Sequence, residues 1–472
     1  MQDSPLSKDG QEIESDYSKL MEQLRAALLK QIPKVAGLGE AQIQELIQSE
    51  ALDDDLVRFV LLREATPSGL ARFAQKGSAE RGLVDQLLAN TELIREMLLA
   101  DGAKAERSRN VLGPAQYGRC IEIYHDIQKS RQFDESALSH RLALAISLEH
   151  AVPIEQSNPE SDTTASDLVD PVSRFEHYQS AYRGGQLDRS FGRLTTWELR
   201  MVVDGDEPDE TLSWGREMLR NFRPDHVLDP SDGWRYVSIV GSNVKYGSEC
   251  VKNDRPELQK YQNILMNGGV CGRRAFFGRF ILRAFGVPTI ARPSRGHGAL
   301  AHWTPDGWVV NLGGGWGAGW TNTLYKDDVD FLKNTQARAN AVAFAEVKRA
   351  HWIGDLFDEP RVYGYSQGDP GFWNRVALRR QQEIIDQGSL VTLEALGEEL
   401  AEADEPVSSQ VRDVSDDALE SNQIRVTEGG EIVVPAAAYL RESSRPKEVL
   451  AMNRFDGGTQ VFLPRFFPKG LT

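Results

Sequence analysis

A cysteine stands at the start of a predicted helix in the stretch NGGVCGRRAFFGRFILRAFGVPT, residues 267–289. Two glycines precede it and permit the positive-φ backbone of a sharp turn. The helix then runs from Cys271 to about Phe285, where Gly286 and a following proline end it. Unpaired N–H groups and the positive end of the helix dipole favour a thiolate at this position. The sequence therefore indicates a candidate nucleophile at Cys271.

Cys271 also has a simpler interpretation as a small core residue, which is the commonest situation of a free cysteine. Two observations favour the nucleophile. Arg273 and Arg274 add positive charge close to the thiol. The second observation lies downstream, in SRGHGALAHWTPDGWVVNLGGGW, where histidines precede a hairpin turn.

The TPDG turn joins two strand-like runs, so this segment is predicted to be a β-hairpin. The first run carries His297 and His302, and the second carries Asn311. A thiol at a helix N-terminus, a base on one strand and an orienting group on the next form the Cys–His–Asn/Asp arrangement of acyl-transfer enzymes.

These motifs resemble those of the transglutaminase-like superfamily, which has a papain-like core. Its cysteine motif resembles GGVCGRRAFFGRFILRAFGVP, and its histidine and acid motifs resemble GHGALAHWTPDGWVVNL. The match covers about Gly268 to Gly314, which is roughly a tenth of the chain and is typical of a local motif. The resemblance implies that a Cys271 thiolate attacks an amide carbonyl while a histidine moves the proton.

The sequence departs from the family pattern at the histidine and at the acid. An ungapped alignment puts the family's histidine at His297, whereas a turn at Asp306-Gly307 would place His302 opposite Asn311. We favour His297 as the base because the turn fixes the register, and we keep His302 as the alternative. Asn311 stands one position before the usual aspartate, and an asparagine stabilises an imidazolium less than a carboxylate does.

Three tryptophans near these residues are candidates for substrate binding: Trp303, Trp308 and Trp316. The run GGGWGAGW that contains Trp316 lacks the Lys-Ser/Thr of a phosphate-binding loop. We interpret it as a loop that brings backbone and indole rings close to a substrate or a neighbouring strand. No third ligand accompanies the two histidines at a metal-binding spacing, so we expect neither a metal nor a cofactor. The acidic run DGDEPDE (204–210) is interpreted as a solvated loop.

Hydrophobic periodicity and turn residues divide the chain of 472 residues into five parts. They are an all-helical N-terminal region (1–154), a linker (155–167), a transglutaminase-like domain with added helices (168–400), an acidic linker (401–422) and a C-terminal β segment (423–472). The β segment could be the start of a further domain. Within the third part, WRYVSIVG has the composition of a strand. The predicted fold class is α+β.

Composition restricts the partners of the protein. The formal net charge of −16 and the lack of a basic patch argue against nucleic acid. No apolar run is long enough to span a membrane and no signal peptide is recognisable. The three cysteines, Cys120, Cys250 and Cys271, are too few and too scattered for a disulfide framework. Free thiols favour a reducing compartment such as the cytoplasm.

The sequence thus predicts a cysteine-dependent acyl-transfer enzyme, either a protease or amidase or a transglutaminase-type enzyme, acting on a protein, a peptide or another carboxamide. The alternative is a weakly active or inactive module of the same fold that binds a peptide or a glycan. The nature of the second substrate, water or an amine, stays open at this point.

Overall fold

The computed structural model describes residues 5–33, 35–108, 111–157, 168–229, 231, 235–245, 261–325, 327–364 and 367–388, together with four short strands between 425 and 462. The predicted acidic linker (401–422) and Cys250 lie outside the described residues, as do residues 158–167 of the predicted linker 155–167.

Helices make up most of the described chain, and small antiparallel sheets account for the strands. The predicted mixture of helix and strand is therefore confirmed. The helices are α1 (Lys8–Gln31), α2 (Glu40–Gln48), α3 (Asp53–Ala65), α4 (Pro67–Ala74), α5 (Ser78–Ala89), α6 (Thr91–Leu99), α7 (Tyr117–Gln128), α8 (Ala137–Glu149), α9 (Pro171–Arg183), α10 (Thr196–Val203), α11 (Asp209–Phe222), α12 (Pro224–Leu228), α13 (Ser238–Ser242), α14 (Tyr261–Asn267), α15 (Cys271–Ala284), α16 (Asp328–Arg338), α17 (Ala341–Leu356) and α18 (Phe372–Gln387).

The strands pair with their neighbours in sequence. They are β1 (Ala105–Ser108), β2 (Val111–Ala115), β3 (Thr289–Ala291), β4 (Leu300–Thr304), β5 (Gly307–Asn311), β6 (Arg425–Val426), β7 (Ile432–Val433), β8 (Glu448–Leu450) and β9 (Gln460–Phe462). The pairs β6–β7 and β8–β9 are antiparallel and lie within residues 423–472, the predicted C-terminal β segment.

Two sequence-based assignments of secondary structure are wrong. The N-terminal region is not all-helical, because the β1–β2 hairpin interrupts it. Gly113 and Pro114 in β2 disfavour a helix, which explains why the helical pattern stops there. The run WRYVSIVG contains helix α13 rather than a strand. Val237 and Val240 of this run pack against Gly278 of α15, so tertiary packing overrides their strand propensity.

A three-stranded sheet in the order β3-β4-β5 positions the candidate site. Helix α15 packs on one face, where Leu300 of β4 lies so close to Gly278 that a Cβ there would come within 2.8 Å of its Cδ2. On the other face, Trp308 of β5 packs edge-to-face on Phe331 of α16, with ring centroids 5.0 Å apart. The short sheet is therefore enclosed between helices.

The helices before residue 154 share one apolar core with those that follow. Buried charges join them as well. Arg349 of α17 makes a bidentate ion pair with Asp53 of α3, at 2.6 and 2.7 Å. Arg361 pairs with Glu64 of the same helix α3 at 2.5 Å. The first predicted region is thus packed directly on the helices that follow the sheet.

Asp101, just after α6, is the centre of another cluster of buried polar and charged groups. Its carboxylate accepts hydrogen bonds from Trp197 Nε1 at 2.7 Å and from Tyr325 Oη at 2.8 Å. It also pairs with Arg338 at 2.8 Å and with Lys348. Burial disfavours the ionised carboxyl, but the two cations outweigh it and hold the pKa of Asp101 well below its ordinary value.

The acidic run at residues 204–210 is not the solvated loop that its composition predicts. Glu207 is 1% exposed and pairs with Arg283 of α15, which also pairs with Asp204 at 2.8 Å. Asp209 pairs with the buried Arg174 at 2.6 Å. The acids neutralise arginines that are distant in sequence. Their burial could therefore not be predicted from the composition of the run itself.

We expect Asp101→Asn to destabilise the fold by about 3 kcal/mol, because it removes the charge opposite two buried cations while keeping the shape of the side chain. Asparagine also tolerates the positive φ of 71° at this position. Urea unfolding would measure the change. The matched control is Asp16→Asn, at an exposed ion pair with Lys19, which should change stability by less than about 0.5 kcal/mol. Equal losses in the two variants would contradict the prediction.

Stability should fall as the pH drops below about 6.5, because buried histidines resist protonation only in the folded state. Burial, assisted by nearby cations, lowers the pKa of His150 to about 4 and those of His177 and His351 to about 3. Between those values and about 6.5 the unfolded chain binds more protons, so acid favours unfolding. His150→Gln should flatten the dependence of the unfolding free energy on pH between 6 and 4, whereas substitution of the exposed His125 should leave the slope unchanged. Equal slopes in the unmodified protein, the His150 variant and the His125 variant would refute the role of His150 in the acid sensitivity.

Candidate active site

Cys271 is the first residue of α15, as predicted, and its side chain is 7% exposed. The turn before it uses Gly268, whose φ of 76° is the left-handed conformation that glycine favours. The helix ends at Ala284, and Gly286 follows with a φ of 75°. The amide of Val287 donates to the Leu282 carbonyl, which completes the glycine-type cap.

The backbone of Gly298 lies directly against the start of α15. Its amide N–H donates to the Cys271 sulfur, with 3.2 Å between nitrogen and Sγ. The approach requires glycine, because a Cβ at position 298 would lie 2.6 Å from the Gly272 Cα. The backbone amide of Gly298, in the segment that leads into β4, is therefore aimed at the thiol, where an N–H donor stabilises negative charge on sulfur.

His297 immediately precedes this glycine, at the end of the β3–β4 hairpin. A bridge between Ser294 and His297 closes the hairpin, and Gly296 in the turn has a φ of 73°. The His297 ring bonds through Nε2 to the Leu312 carbonyl. A carbonyl only accepts, so Nε2 carries the proton of the neutral ring and Nδ1 is its basic nitrogen. Among the described residues, the buried Nδ1 has no hydrogen-bond partner.

His302 lies far from the thiol along α15. It is 1% exposed and borders a small cavity together with Leu282 and Asp188. Leu282 is eleven residues after Cys271, a separation of about 16 Å at the rise of an α-helix. Of the two candidate bases, His297 is therefore the one whose neighbouring residue contacts the sulfur.

The register of the β4–β5 hairpin differs from the prediction. Thr304 pairs with Gly307, so the turn residues are Pro305 and Asp306 and the turn comes one residue earlier than predicted. The Thr304 hydroxyl closes it, accepting from the Asp306 amide at 3.3 Å and donating to the Gly307 carbonyl at 2.8 Å.

Asn311 consequently lies opposite Leu300 rather than opposite His302, which pairs with Val309. Its side chain is fully buried, and neither the amide oxygen nor the amide nitrogen has a hydrogen-bond partner among the described residues. The bond that the structure gives His297 goes to the main chain of the next residue, Leu312. The asparagine side chain does not orient the ring in this structure.

The glycine-rich loop after β5 is fixed by one buried ion pair. Arg292 and Asp328 are both fully buried and pair at 2.8 Å. The aspartate also accepts from the amides of Gly317 and Gly319, at 3.0 Å each, and the arginine donates to the Gly315 carbonyl. Asp328 is the first residue of α16, where the helix dipole favours a carboxylate.

The three tryptophans differ in their surroundings. Trp308 is 3% exposed and belongs to the packed core, which leaves little of it for a substrate to contact. Trp303 pairs with it across the hairpin and is half-buried. Trp316, in the glycine-rich loop, is half-buried and stacks on Phe331, with centroids 6.4 Å apart. Its Nε1 is buried without a hydrogen-bond partner among the described residues.

Cys120 offers a contrast with Cys271. It is fully buried in α7, and burial raises the pKa of its thiol to about 12. Within the described part of the chain, no group of three or more His, Cys, Asp or Glu side chains could hold a metal ion. Among the helices that the structure describes, none combines the length and apolar character that a bilayer span requires.

A larger cavity, of about 720 Å³, lies elsewhere in the molecule. It is bordered by the β1–β2 hairpin, α10 and the loop after α17, and it has aromatic walls that include Trp197, Tyr325 and Tyr363. Paired charges such as Glu149 and Arg200 also line it. Cys271 and His297 are not among its lining residues, so it is a site separate from the thiol.

No family model, curated protein or solved structure matches the chain. The chemistry of the site therefore rests on its own geometry.

We expect Cys271 to be alkylated faster than Cys120, and Gly298→Ala to slow that alkylation sharply. The added Cβ would push the amide of residue 298 away from the sulfur. Gly272→Ala is the matched control, because a Cβ there meets no atom within 4 Å. Brief iodoacetamide treatment followed by mass spectrometry measures the labelling of each cysteine in the unmodified protein and in the two alanine variants. Faster labelling of Cys120, or equal effects of the two alanines in folded protein, would contradict the arrangement.

Proposed function

We propose that the protein is a cysteine-dependent acyl-transfer enzyme that acts on a peptide or carboxamide through Cys271. The observation that carries the proposal is the contact of the Gly298 amide with the Cys271 sulfur at a helix N-terminus, next to a histidine with an available Nδ1. The resemblance of residues 268–314 to the transglutaminase-like superfamily supports the same chemistry, and with it a transglutaminase-like core.

In the proposed first step, the Cys271 sulfur forms a bond to the carbonyl carbon of the substrate, and Nδ1 of His297 takes the thiol proton. The negative charge moves to the carbonyl oxygen. The amide N–H of Cys271, the first residue of α15, has no carbonyl partner within the helix and can stabilise this oxyanion.

The amide C–N bond of the substrate then breaks, and His297 returns the proton to the leaving amine or ammonia. An acyl group remains on sulfur as a thioester. Water or an amine attacks it, His297 accepts a proton from the attacking group, and the thiol is regenerated. Water gives a protease or amidase, and an amine gives a cross-linking enzyme. A protein or peptide is the substrate class that this chemistry fits.

A second candidate is a binding module with a weak or inactive thiol site. Two observations favour it: Cys271 is 7% exposed, and the cavity of about 720 Å³ has aromatic and charged walls away from the thiol. Aromatic faces combined with hydrogen-bonding charged pairs suit a peptide or a glycan. In that case binding should persist in Cys271→Ala and decline on substitution of Tyr363.

The enzymatic proposal is tested with a panel of glutamine-containing peptides, with and without a biotinylated primary amine. Released ammonia and incorporated amine are measured by a coupled assay and by mass spectrometry. We expect turnover in the unmodified protein and in Cys120→Ala, no turnover in Cys271→Ala, and a loss of about 100-fold or more in His297→Gln. Turnover that survives in Cys271→Ala would overturn the proposal.

A further inference from the structure

We propose that the main-chain carbonyl of Leu312 orients the His297 imidazole, so that a backbone group has the role that a side-chain acid has in the resembled family. The inference rests on the proposed function, since it assigns the third member of the same site. Leu312, Arg292 and Asp328 are then positioning residues, because they act on the substrate only through His297.

The hydrogen bond itself is the first support. His297 Nε2 donates to the Leu312 carbonyl, and this bond holds both the ring plane and the tautomer. Nδ1 is left as the basic nitrogen, on the residue next to the Gly298 amide that contacts the thiol. An acid on a neighbouring strand would perform the same task through one of its oxygens.

The conformation of Leu312 is a second and independent support. Its φ is 60°, whereas leucine strongly prefers negative values. Among the described residues, four that are not glycine have positive φ, and two of them are aspartates, which tolerate it better. Such strain persists where surrounding contacts enforce it, and it is commonest at functional sites.

The unusual conformation of Leu312 also coincides with the end of β4–β5 pairing, close to the thiol. Continuing the β4–β5 register beyond the Leu300–Asn311 pair would place Gly313 opposite Gly298. Strand β5 instead ends at Asn311, and the Gly298 amide bonds to sulfur. Leu312 thus directs its carbonyl to the imidazole at the place where the Gly298 amide, left outside the β4–β5 ladder, bonds to the cysteine.

The Arg292–Asp328 ion pair holds the loop that follows Leu312. Three groups of the loop bond to the pair, namely the carbonyl of Gly315 and the amides of Gly317 and Gly319. The amide of Trp320 returns to the Pro293 carbonyl at 2.9 Å, beside the β3–β4 hairpin. The loop is therefore tied to the hairpin that carries His297, and the Leu312 carbonyl is fixed relative to the ring.

Asn311 is the competing candidate, because it is the side chain nearest to the family's acid in sequence. Both of its amide atoms are buried without hydrogen-bond partners in the described part of the chain. A side chain that oriented the ring would use one of them. The structure therefore favours the carbonyl of the next residue.

The decisive experiment compares Leu312→Pro with Leu312→Gly. Proline fixes φ near −65° and must redirect the carbonyl, whereas glycine accepts the native value. The tautomer of His297 is read by ¹⁵N NMR of the imidazole, and the alkylation of Cys271 is followed from pH 5 to 9. Circular dichroism establishes that each variant is folded. Arg292→Lys is the second variant, since an ammonium cannot reproduce the guanidinium contacts to both Gly315 and Asp328.

We expect the Nε2–H tautomer in the unmodified protein and in Leu312→Gly. Leu312→Pro should lose this signature, and its alkylation at pH 7 should be about tenfold slower or more. Arg292→Lys should change both readouts in the same direction, so the proposal stays testable where the proline variant does not fold. Retention of the tautomer and of the alkylation profile in the folded variants would overturn it.

Asn311→Leu separates the two orienting groups. Loss of the Nε2–H signature in this variant, with Leu312→Pro unaffected, would identify the asparagine and overturn the proposal. His297→Gln separates the proposal from the function on which it rests. Unchanged alkylation in that variant would refute the proposed function, while the dependence of the tautomer on Leu312 would still test the carbonyl contact.

Discussion

Buried carboxylates that bind cations from distant parts of the chain determine how the helices are arranged. Asp101 joins the end of α6 to Trp197, Arg338 and Lys348, and Asp53 joins α3 to α17. Such pairs add little net stability, because desolvation costs about as much as their attraction returns. Misplacing one partner is costly, however, since it leaves a buried charge uncompensated. The pairs therefore specify one way of packing the N-terminal helices on the helices that flank the sheet.

The candidate site depends on the same device on a smaller scale. Arg292 and Asp328 carry no net charge as a pair and are fully buried. They bind one carbonyl and two amides of the loop, and the low dielectric around the buried pair strengthens these bonds. The loop and the β3–β4 hairpin are consequently fixed to one another, and the bond that the structure gives the His297 ring goes to a main-chain carbonyl. Preorganised dipoles of this kind are what acyl transfer requires around a developing charge.

Local signals in the sequence predicted α15 well. Its glycine turn, its first residue and its end at Gly286 follow from capping rules that involve only neighbours in the chain, and the TPDG turn predicted the hairpin. The register was wrong by one residue because the Thr304 hydroxyl closes the turn, an effect that composition does not show. The Arg292–Asp328 pair and the φ of Leu312 could not be predicted, since both depend on contacts across the fold. In the sequence SRGHGAL, the glycine directly after His297 is the local signal that could have indicated the close approach of this segment to the thiol.

Gly298 limits how this protein can vary among homologous chains. A side chain at position 298 would meet the backbone of α15, whereas position 272 has open space for a methyl group. Selection that maintains the thiol contact should therefore keep glycine at 298 and allow alanine at 272. The Asn311 side chain has no hydrogen-bond partner among the described residues, so this position should tolerate apolar types. Divergence would then change position 311 first and leave the glycine after the histidine as the lasting trace of the site.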